Sequence, residues 1–402
     1  AQELFDQAGM LRELVKWDYE LRDPRQLDAV VDRAIGIATS EPKGPIYLSM
    51  PREVLAEPAV QPSTVPTAVP AGPEPDRASI EELADRLAAA TFPVIVTSAS
   101  GGDRGSFEAL GALADRHAIA LADDIPRHVN ADPDHPLHLG ADLAPVFERA
   151  DVLVFVETDV PWIEARIAPS ADTFIVQAGV DPLFARYPMR THRSDLTITS
   201  TPSALFAAVD DALTERGASI DLDRRTTMAE HSAAMRSALA HQRTRLAAAD
   251  GPMTKPFLSM TLGDLLDEDD IVFNEYWADP ALLRRRRPGT YFYLPPAGGL
   301  GWALPAAIGA RHARPDHLVA ATIGDGAYLF ANPAACHHAS TKHGLPVLTV
   351  VANNATWGAV DHATRSVYPA GRAVAQGESR LSDLSPSPAL EAYCQASGGF
   401  GI

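Results

Sequence analysis

The sequence alternates short apolar runs with segments of helical periodicity. Between residues 79 and 216 the apolar runs are PVIVTS, AIALAD, DVLVFVE, TFIVQAG and DLTITS, with helix-length segments between several of them. Such runs indicate buried strands, and strands that alternate with helices are typical of a parallel sheet. Ser79 and Glu82 predict a capping box for the helix in EELADRLAAA. The predicted fold class is α/β, with doubly wound and mostly parallel sheets.

A second region of the same kind covers residues 256–402. Its predicted buried strands lie in DIVFNEYW, HLVAATIGDG and PVLTVVANN. Between the last two strands, Asn332 and Pro333 predict the start of a helix, and Gly344 predicts its left-handed end. The segment GGLGWALPAA contains only part of a dinucleotide-binding glycine pattern, so we interpret it as leading into a close-packed helix.

The other segments lie before and between these two regions. Residues 1–57 hold one predicted helix (in RQLDAVVDRAIGIATSEP) and one strand (in IYLSM), which are too few elements to bury a core. Six prolines in residues 58–78 predict an extended linker. The predicted organisation is the end of one domain (1–57), a linker (58–78), a central α/β domain (79–216), a helical connector (217–255) and a final α/β domain (256–402) that stops in mid-pattern.

Composition narrows the classes of partner. The net charge is −18, from 34 basic and 52 acidic residues, which argues against binding to nucleic acid or to an anionic membrane. The one basic run, Arg284–Arg287, is interpreted as a solvated helix end. Two cysteines allow no disulfide framework and favour a reducing cytoplasm. No apolar run approaches the roughly 18 residues of a membrane span.

Polar residues follow two neighbouring predicted strands of the last region. Asp325 stands between Gly324 and Gly326 at the end of one strand, and Asn353 and Asn354 end the next. In a parallel βαβ unit both motifs lie at the carboxyl edge, where α/β sheets bind ligands. Carboxylate and amide oxygens suit Mg²⁺, and glycines let backbone amides approach a phosphate. Either motif alone favours a plain turn or loop, whereas the two together favour a ligand site.

This spacing resembles the fingerprint of thiamine diphosphate-dependent enzymes. Gly324-Asp325-Gly326 is followed after 26 residues by Asn353-Asn354. The stretches GPIYLSMPREV, PAGGLGWALPAAIGA and NNATWGAV resemble the same family, nearest to its acetolactate synthase and benzoylformate decarboxylase branch. The resemblance implies a multi-domain architecture and an enzyme that decarboxylates a 2-oxo acid or joins it to a second carbonyl compound. It also implies a homodimer or homotetramer.

The resemblance further implies roles for individual residues. Asp325, Asn354 and the Thr356 carbonyl would hold Mg²⁺ on the diphosphate, and the amides of Gly326 and Ala327 would contact the diphosphate itself. The cofactor would also meet the Gly298 carbonyl at its aminopyrimidine, Leu300 as the apolar wedge that bends it, and Trp357 near the diphosphate loop. The family's catalytic glutamate belongs to the amino-terminal domain, and no residue of this chain matches it.

Several alternatives stay open. A non-catalytic cofactor-binding or assembly module is the alternative function, because the glutamate is unmatched; a dinucleotide-dependent oxidoreductase would need a complete glycine fingerprint. FAD in the central domain, as in acetolactate synthases, is disfavoured because no flavin-contacting stretch is found. His337, His338 and His343 lack the spacing of a metal pair. The polar cluster Asp123, Asp124, His128, His135 and His138 is interpreted as a surface loop.

Overall fold

The computed structural model describes residues 4–58, 65–217, 222–377 and 380–402. Part of the predicted proline-rich linker, residues 59–64, lies outside the described residues. Within them, every pairing between the named strands is parallel. The α/β class is therefore confirmed. No helix of the described segments has both the length and the apolar character needed to cross a bilayer.

The amino-terminal segment forms a small two-stranded sheet. Its elements are β1 (Trp17–Glu20), α1 (Leu27–Thr39), β2 (Ile46–Ser49) and α2 (Arg52–Leu55). The predicted helix and strand are present, and β1, which the pattern did not predict, pairs with β2. Among its described apolar side chains only Leu21, Val30 and Ala34 are buried.

The central region contains a five-stranded sheet with the order β4-β3-β5-β6-β7. Its elements are α3 (Arg77–Ala89), β3 (Pro93–Thr97), α4 (Ser106–His117), β4 (Ala120–Asp123), α5 (Ala144–Phe147), β5 (Val152–Val156), β6 (Phe174–Gly179), β7 (Leu196–Thr199) and α6 (Pro202–Glu215). All five predicted strands are present. Separate apolar clusters cover the two faces of the sheet, which explains why the strands are almost continuously apolar.

One prediction about the flanking helices is wrong, and a second helix has contacts that its sequence did not predict. The capping box of Ser79 and Glu82 is wrong: α3 begins earlier, and the Asp76 carboxylate accepts the Ser79 N–H at 3.0 Å. The connector is one long helix, α7 (Leu222–Ala247), and it does more than connect. Its Met228 is fully buried in the core of the central sheet, and Arg224 donates to the carbonyl oxygens of Leu87 and Ala90.

The carboxy-terminal region contains a four-stranded sheet with the order β11-β10-β8-β9. Its elements are α8 (Lys255–Leu265), β8 (Ile271–Asn274), α9 (Pro280–Leu283), β9 (Tyr291–Tyr293), α10 (Ala303–Ala313), β10 (Val319–Gly324), α11 (Asp325–Phe330), α12 (Pro333–His343), β11 (Leu348–Ala352), α13 (Gly358–Val367), α14 (Arg372–Gln376) and α15 (Glu391–Gln395). The helix expected after GGLGW is α10. The short helix α11, directly after β10, was not predicted.

The helix between β10 and β11 begins and ends where the sequence predicts. Pro333 starts α12, and Gly344 ends it with a left-handed φ of 63°. Asn332 is the residue that precedes the helix, as predicted, but its side chain makes no capping hydrogen bond. A capping side chain needs an extended backbone at its own residue, whereas Asn332 is left-handed, with φ of 52°.

The arginine run follows helix α9 and is largely exposed, as predicted, and it also makes an interdomain contact. Arg286 forms a two-pronged hydrogen bond with Asp132 of the central region, at 3.0 and 2.8 Å. Arg284 pairs with Asp134 at 2.8 Å. Arg285 is buried and donates to backbone carbonyl oxygens of the turn before β8. The carboxylates that neutralise this run lie far away in sequence, so the run alone did not reveal the contact.

Candidate functional site

The carboxy-terminal sheet has its topological switch point between β8 and β10. The chain passes from β8 to β9 on one side and then returns to β10 and β11 on the other. In α/β sheets, ligands bind outside the carboxyl ends of the strands at this point. Gly324 at the end of β10 pairs with Ala352 of β11, and Thr322 pairs with Asn274 of β8. Residues that follow these three strands therefore share one edge.

Asp325 is the first residue after β10 and the first of α11. It is only 5% exposed, and its Oδ2 atom finds no hydrogen-bond partner among the described residues. An unpartnered carboxylate oxygen at such a depth is costly, because the oxygen loses water and gains nothing. A cation at this edge would remove that cost, and a carboxylate is a ligand that Mg²⁺ prefers. The donor type and its orphaned oxygen therefore fit a bound Mg²⁺.

The loop after β11 carries the other predicted metal ligands. Asn354 is exposed, and its Oδ1 atom accepts the Thr356 N–H at 3.1 Å. Ala355 adopts a left-handed φ of 51°. A second segment holds this loop from outside, because Leu384 N–H donates to Ala355 O at 2.8 Å and Trp357 N–H donates to Ser382 O at 2.7 Å. The loop thus has a defined shape beside the Asp325 edge.

The predicted diphosphate contacts lie in the first turn of α11. The N–H groups of a first helical turn have no partner within the helix, so those of Gly326 and Ala327 suit an anion. A Cβ atom at Gly326 would lie 2.3 Å from Cζ3 of Trp357, so only glycine fits beneath that ring. Trp357 also packs edge to face on Phe330, with ring centroids 5.4 Å apart. The structure therefore brings Gly326 and Trp357 together.

The remaining predicted contacts lie in the loop before α10. Gly298 and Gly301 have positive φ angles of 64° and 82°, and Leu300 between them is 36% exposed. This loop is bonded to a residue that the sequence reasoning missed. Glu275 follows β8 and is fully buried, and its carboxylate accepts the N–H groups of Gly301 and Ala303 at 2.7 and 2.8 Å. The signal that singled out Asp325, a carboxylate just after a buried strand, also applies to Glu275.

The polar cluster of the central region is largely enclosed, so its interpretation as a surface loop is wrong. His138 is buried, with Nε2 3.2 Å from Asp123 Oδ2. Burial, with the nearby negative charge of Asp159, raises the pKa of the Asp124 carboxyl to about 7. The loop also packs on the carboxy-terminal region, because Tyr293 N–H donates to Arg127 O at 3.0 Å. Helix α7 packs on the same segment, because Ser232 and Arg236 donate to the carbonyl oxygens of His138 and His135. Packing against these other elements encloses the cluster.

Residues 270–402 match the family model described as "Thiamine pyrophosphate enzyme, C-terminal TPP binding domain". The chain is 27% identical over 372 residues to a protein named probable 2-ketoarginine decarboxylase AruI from Pseudomonas aeruginosa, covering 88% of this chain and 63% of the relative. It is 26% identical over 394 residues to benzoylformate decarboxylase of the same organism, covering 88% of this chain and 66% of the relative. Acetolactate synthase large subunits are similar at 23 to 26% identity.

The fold is shared with a solved structure, benzoylformate decarboxylase from Polynucleobacter necessarius. The TM-score is 0.75 at 19% identity, over 96% of this chain and 70% of that one. The chain spans slightly less than two thirds of the length of the curated relatives described above. Residues 270–402 therefore match a thiamine diphosphate-binding domain, and the chain as a whole is similar to decarboxylases and acetolactate synthases.

Proposed function

We propose that this protein is a thiamine diphosphate- and Mg²⁺-dependent enzyme that decarboxylates a 2-oxo acid or ligates it to a second carbonyl compound. The observation that carries the proposal is the buried, unpartnered Oδ2 atom of Asp325 at the switch point of the sheet. A cation held there would lie beside the first-turn amides of α11, which suit a diphosphate. The match of residues 270–402 to a cofactor-binding domain supports the same ligand.

Different residues are proposed to hold different parts of the cofactor. Asp325, Asn354 and the Thr356 carbonyl are the proposed Mg²⁺ ligands, and the amides of Gly326 and Ala327 are the proposed diphosphate contacts. Leu300, the Gly298 carbonyl and Trp357 are the proposed contacts to the rest of the molecule. The bound cofactor supplies an electron sink for loss of CO₂. The contribution of these residues is to bind and orient it.

Calorimetry of thiamine diphosphate binding, with and without Mg²⁺, tests the proposal. We expect the wild type to bind only with the metal, and Asp325→Ala to lose that binding because it removes the only charged ligand of the proposed set. Asp325→Asn keeps one oxygen and should bind more weakly than the wild type. Asp316→Ala, which alters an exposed aspartate before β10, is the control and should bind normally. Unchanged affinity in Asp325→Ala would contradict the metal assignment.

The substrate class is tested by CO₂ release from a panel of acids. Benzoylformate and 2-ketoarginine are included because relatives are named for them, together with pyruvate, glyoxylate and oxalyl-CoA. We expect turnover of at least one compound in the presence of the cofactor and Mg²⁺. Cofactor binding without turnover of any compound would favour the alternative of a non-catalytic module.

We propose that the central domain takes no flavin, because side chains fill its own switch point between β3 and β5. Asp159, just beyond β5, accepts from Arg127 at 2.5 Å and from Tyr187 at 2.9 Å. Arg190 donates to the carbonyl oxygens of Thr158 and Asp159 and to Gln177. This network occupies the edge where a dinucleotide would bind. The purified protein should show no flavin absorption and no FAD binding by calorimetry; stoichiometric FAD would contradict this proposal.

We also propose a homodimer or homotetramer in the cytoplasm. Apolar side chains lie uncovered near the cofactor edge: Phe330 is 63% exposed, Val360 56% and Val367 67%. Burying such side chains in an assembly is favourable. The two cysteines, Cys336 and Cys394, are free thiols, which suits a reducing compartment. Sedimentation velocity tests the oligomer, and a monomer at micromolar concentration would contradict it.

A further inference from the structure

We infer that Glu275 is a positioning residue for the cofactor: its buried carboxylate fixes the loop that presents Leu300. The inference rests on the proposed function, because Leu300 is the residue proposed to contact the cofactor between its two rings. Glu275 is a charged side chain that is not among the proposed metal or diphosphate contacts.

Glu275 is itself held rigidly. It comes directly after β8, and its N–H donates to Thr322 O of β10 at 2.8 Å, which continues the pairing of the two strands. The neighbouring Asn274 is fully buried and is bonded to Thr322, Ala278 and Tyr291. The carboxylate therefore projects from a buried and hydrogen-bonded part of the sheet, at its switch point.

Each carboxylate oxygen has one backbone partner. Oε1 accepts Gly301 N–H at 2.7 Å, and Oε2 accepts Ala303 N–H at 2.8 Å. Ala303 is the first residue of α10, so the negative charge also lies at the positive end of that helix. Charge-assisted bonds of this kind are about twice as strong as neutral ones. Two such bonds, one on each side of Trp302, fix both the position and the direction of the chain.

The loop needs this anchor because little else holds it. Gly298 and Gly301 both have positive φ, and the only backbone hydrogen bond from Gly298 N–H is to Pro295 O, at 2.9 Å. Leu300 immediately precedes the first bonded amide. A Cβ atom at Gly301 would lie 2.4 Å from Ala331 N, at the end of α11. Glu275 therefore fixes the Leu300 loop against the same short helix that begins with Asp325.

The contacts of Glu275 favour a positioning role over a direct chemical one. The side chain is fully buried, and both of its oxygens accept from backbone N–H groups that cannot give up their protons. Both oxygens are thus engaged by the loop, and the side chain presents no surface to solvent. Its effect on the cofactor must pass through the loop.

The Glu275→Gln variant, measured with thiamine diphosphate and with inorganic pyrophosphate, distinguishes positioning of Leu300 from binding of the metal. The first ligand extends to Leu300, whereas the second reaches only the proposed metal and diphosphate contacts. The glutamine keeps the shape of the side chain but can accept only one of the two amides, and its NH₂ group would face the other. We expect the affinity for thiamine diphosphate with Mg²⁺ to fall about tenfold to a hundredfold. The affinity for inorganic pyrophosphate with Mg²⁺, which does not reach Leu300, should change less than about twofold.

Control variants distinguish failure of the inference about Glu275 from failure of the proposed function. Asp325→Ala should lose both ligands, and Leu300→Ala should reproduce the split of Glu275→Gln. Equal affinities of Glu275→Gln and wild type for thiamine diphosphate would overturn the inference alone, as would equal loss of both ligands. A wild type that binds pyrophosphate but not thiamine diphosphate would overturn the proposed function.

Hydrogen exchange of the wild type tests the inference even if Glu275→Gln does not fold. The Gly301 and Ala303 amides should exchange at least about a hundredfold more slowly than that of Gly299, which has no such anchor in the loop. Near-UV circular dichroism of the bound cofactor should also differ between wild type and Glu275→Gln, since it reports ring conformation. Fast exchange at Gly301 and Ala303 would contradict the bonds from which the inference starts.

Discussion

At the scale of single residues, two carboxylates at the ends of adjacent strands have opposite surroundings. Asp325 has an oxygen with no partner among the described residues, whereas both oxygens of Glu275 are bonded to backbone amides. A buried carboxylate with a free oxygen fits a ligand, and one that is fully bonded fits a scaffold. Both residues are carboxylates that follow a buried strand, so neither residue type nor position in the sequence separates these roles.

Asp124 makes a residue-scale prediction about pH. Its folded pKa is about 7, above the ordinary 3.8, so the folded protein holds a proton there that the unfolded chain releases. Wild-type stability should therefore fall, relative to Asp124→Asn, as pH rises from about 4 to about 7, and the difference should then level off. Thermal unfolding across this range measures it. Asp172→Asn, at an exposed aspartate, is the control, and a pH-independent difference for Asp124→Asn would contradict the prediction.

At the scale of elements, α3 shows how a helix end is decided. The sequence pattern predicts a start at the Ser79–Glu82 pair, whereas in the structure Asp76 caps the helix. Hydrogen bonding of the Asp76 carboxylate to Ser79 lowers the pKa of that carboxyl. A cap of this kind stabilises the folded state above the ordinary carboxyl pKa and is lost as pH falls through the lowered one.

Asp76→Ala should lower the Tm of the chain at pH 7, because the Ser79 N–H loses its acceptor. Glu82→Ala should change the Tm much less, since Glu82 does not reach back to Ser79 in this structure. Circular dichroism during heating measures both variants. A larger fall in Tm for Glu82→Ala than for Asp76→Ala would contradict this prediction and favour the Ser79–Glu82 capping box. The effect of Asp76→Ala should shrink as the pH falls below the ordinary carboxyl range, because the wild-type carboxylate then becomes progressively protonated.

At the scale of the whole molecule, loops rather than strands join the central and carboxy-terminal regions. The loop at residues 127–134 supplies Asp132 and Asp134 to the arginine run, and Val129 enters an apolar cluster with Trp277 and Tyr291. These contacts place the switch-point edge of the central sheet beside the strand that leads into the Leu300 loop.

A double-mutant cycle of Arg286→Ala and Asp132→Ala should give a coupling energy of about 0.5 to 1 kcal/mol, typical of a partly exposed pair. The coupling should weaken at 1 M salt, because the charges are screened. Urea unfolding measures it. Arg287 and Asp269, a pair within one region, provide the matched cycle. No coupling at low salt would show that the interdomain pair contributes nothing to stability.

The features that the sequence determined by itself depend on neighbouring residues or on the regular alternation of strands and helices. The apolar runs placed all five strands of the central sheet and three of the four in the carboxy-terminal sheet, because a buried parallel strand must be apolar on both faces. The short strand β9 was not predicted. Parallel βαβ geometry brings carboxyl ends to one edge, so Asp325 and Asn354 could be placed together from the sequence. Pro333 and Gly344 bounded their helix because each restricts or permits a particular backbone conformation.

Only the tertiary structure decided features whose partners are distant in the chain. The Glu275 carboxylate meets an amide 26 residues away, and Arg286 meets a carboxylate 154 residues away. Asp124 and His138 looked like a surface loop, because the segments that cover them belong to other elements. A polar residue becomes a ligand, an anchor or an ion pair through what packs against it, and periodicity along the chain carries no information about that neighbour.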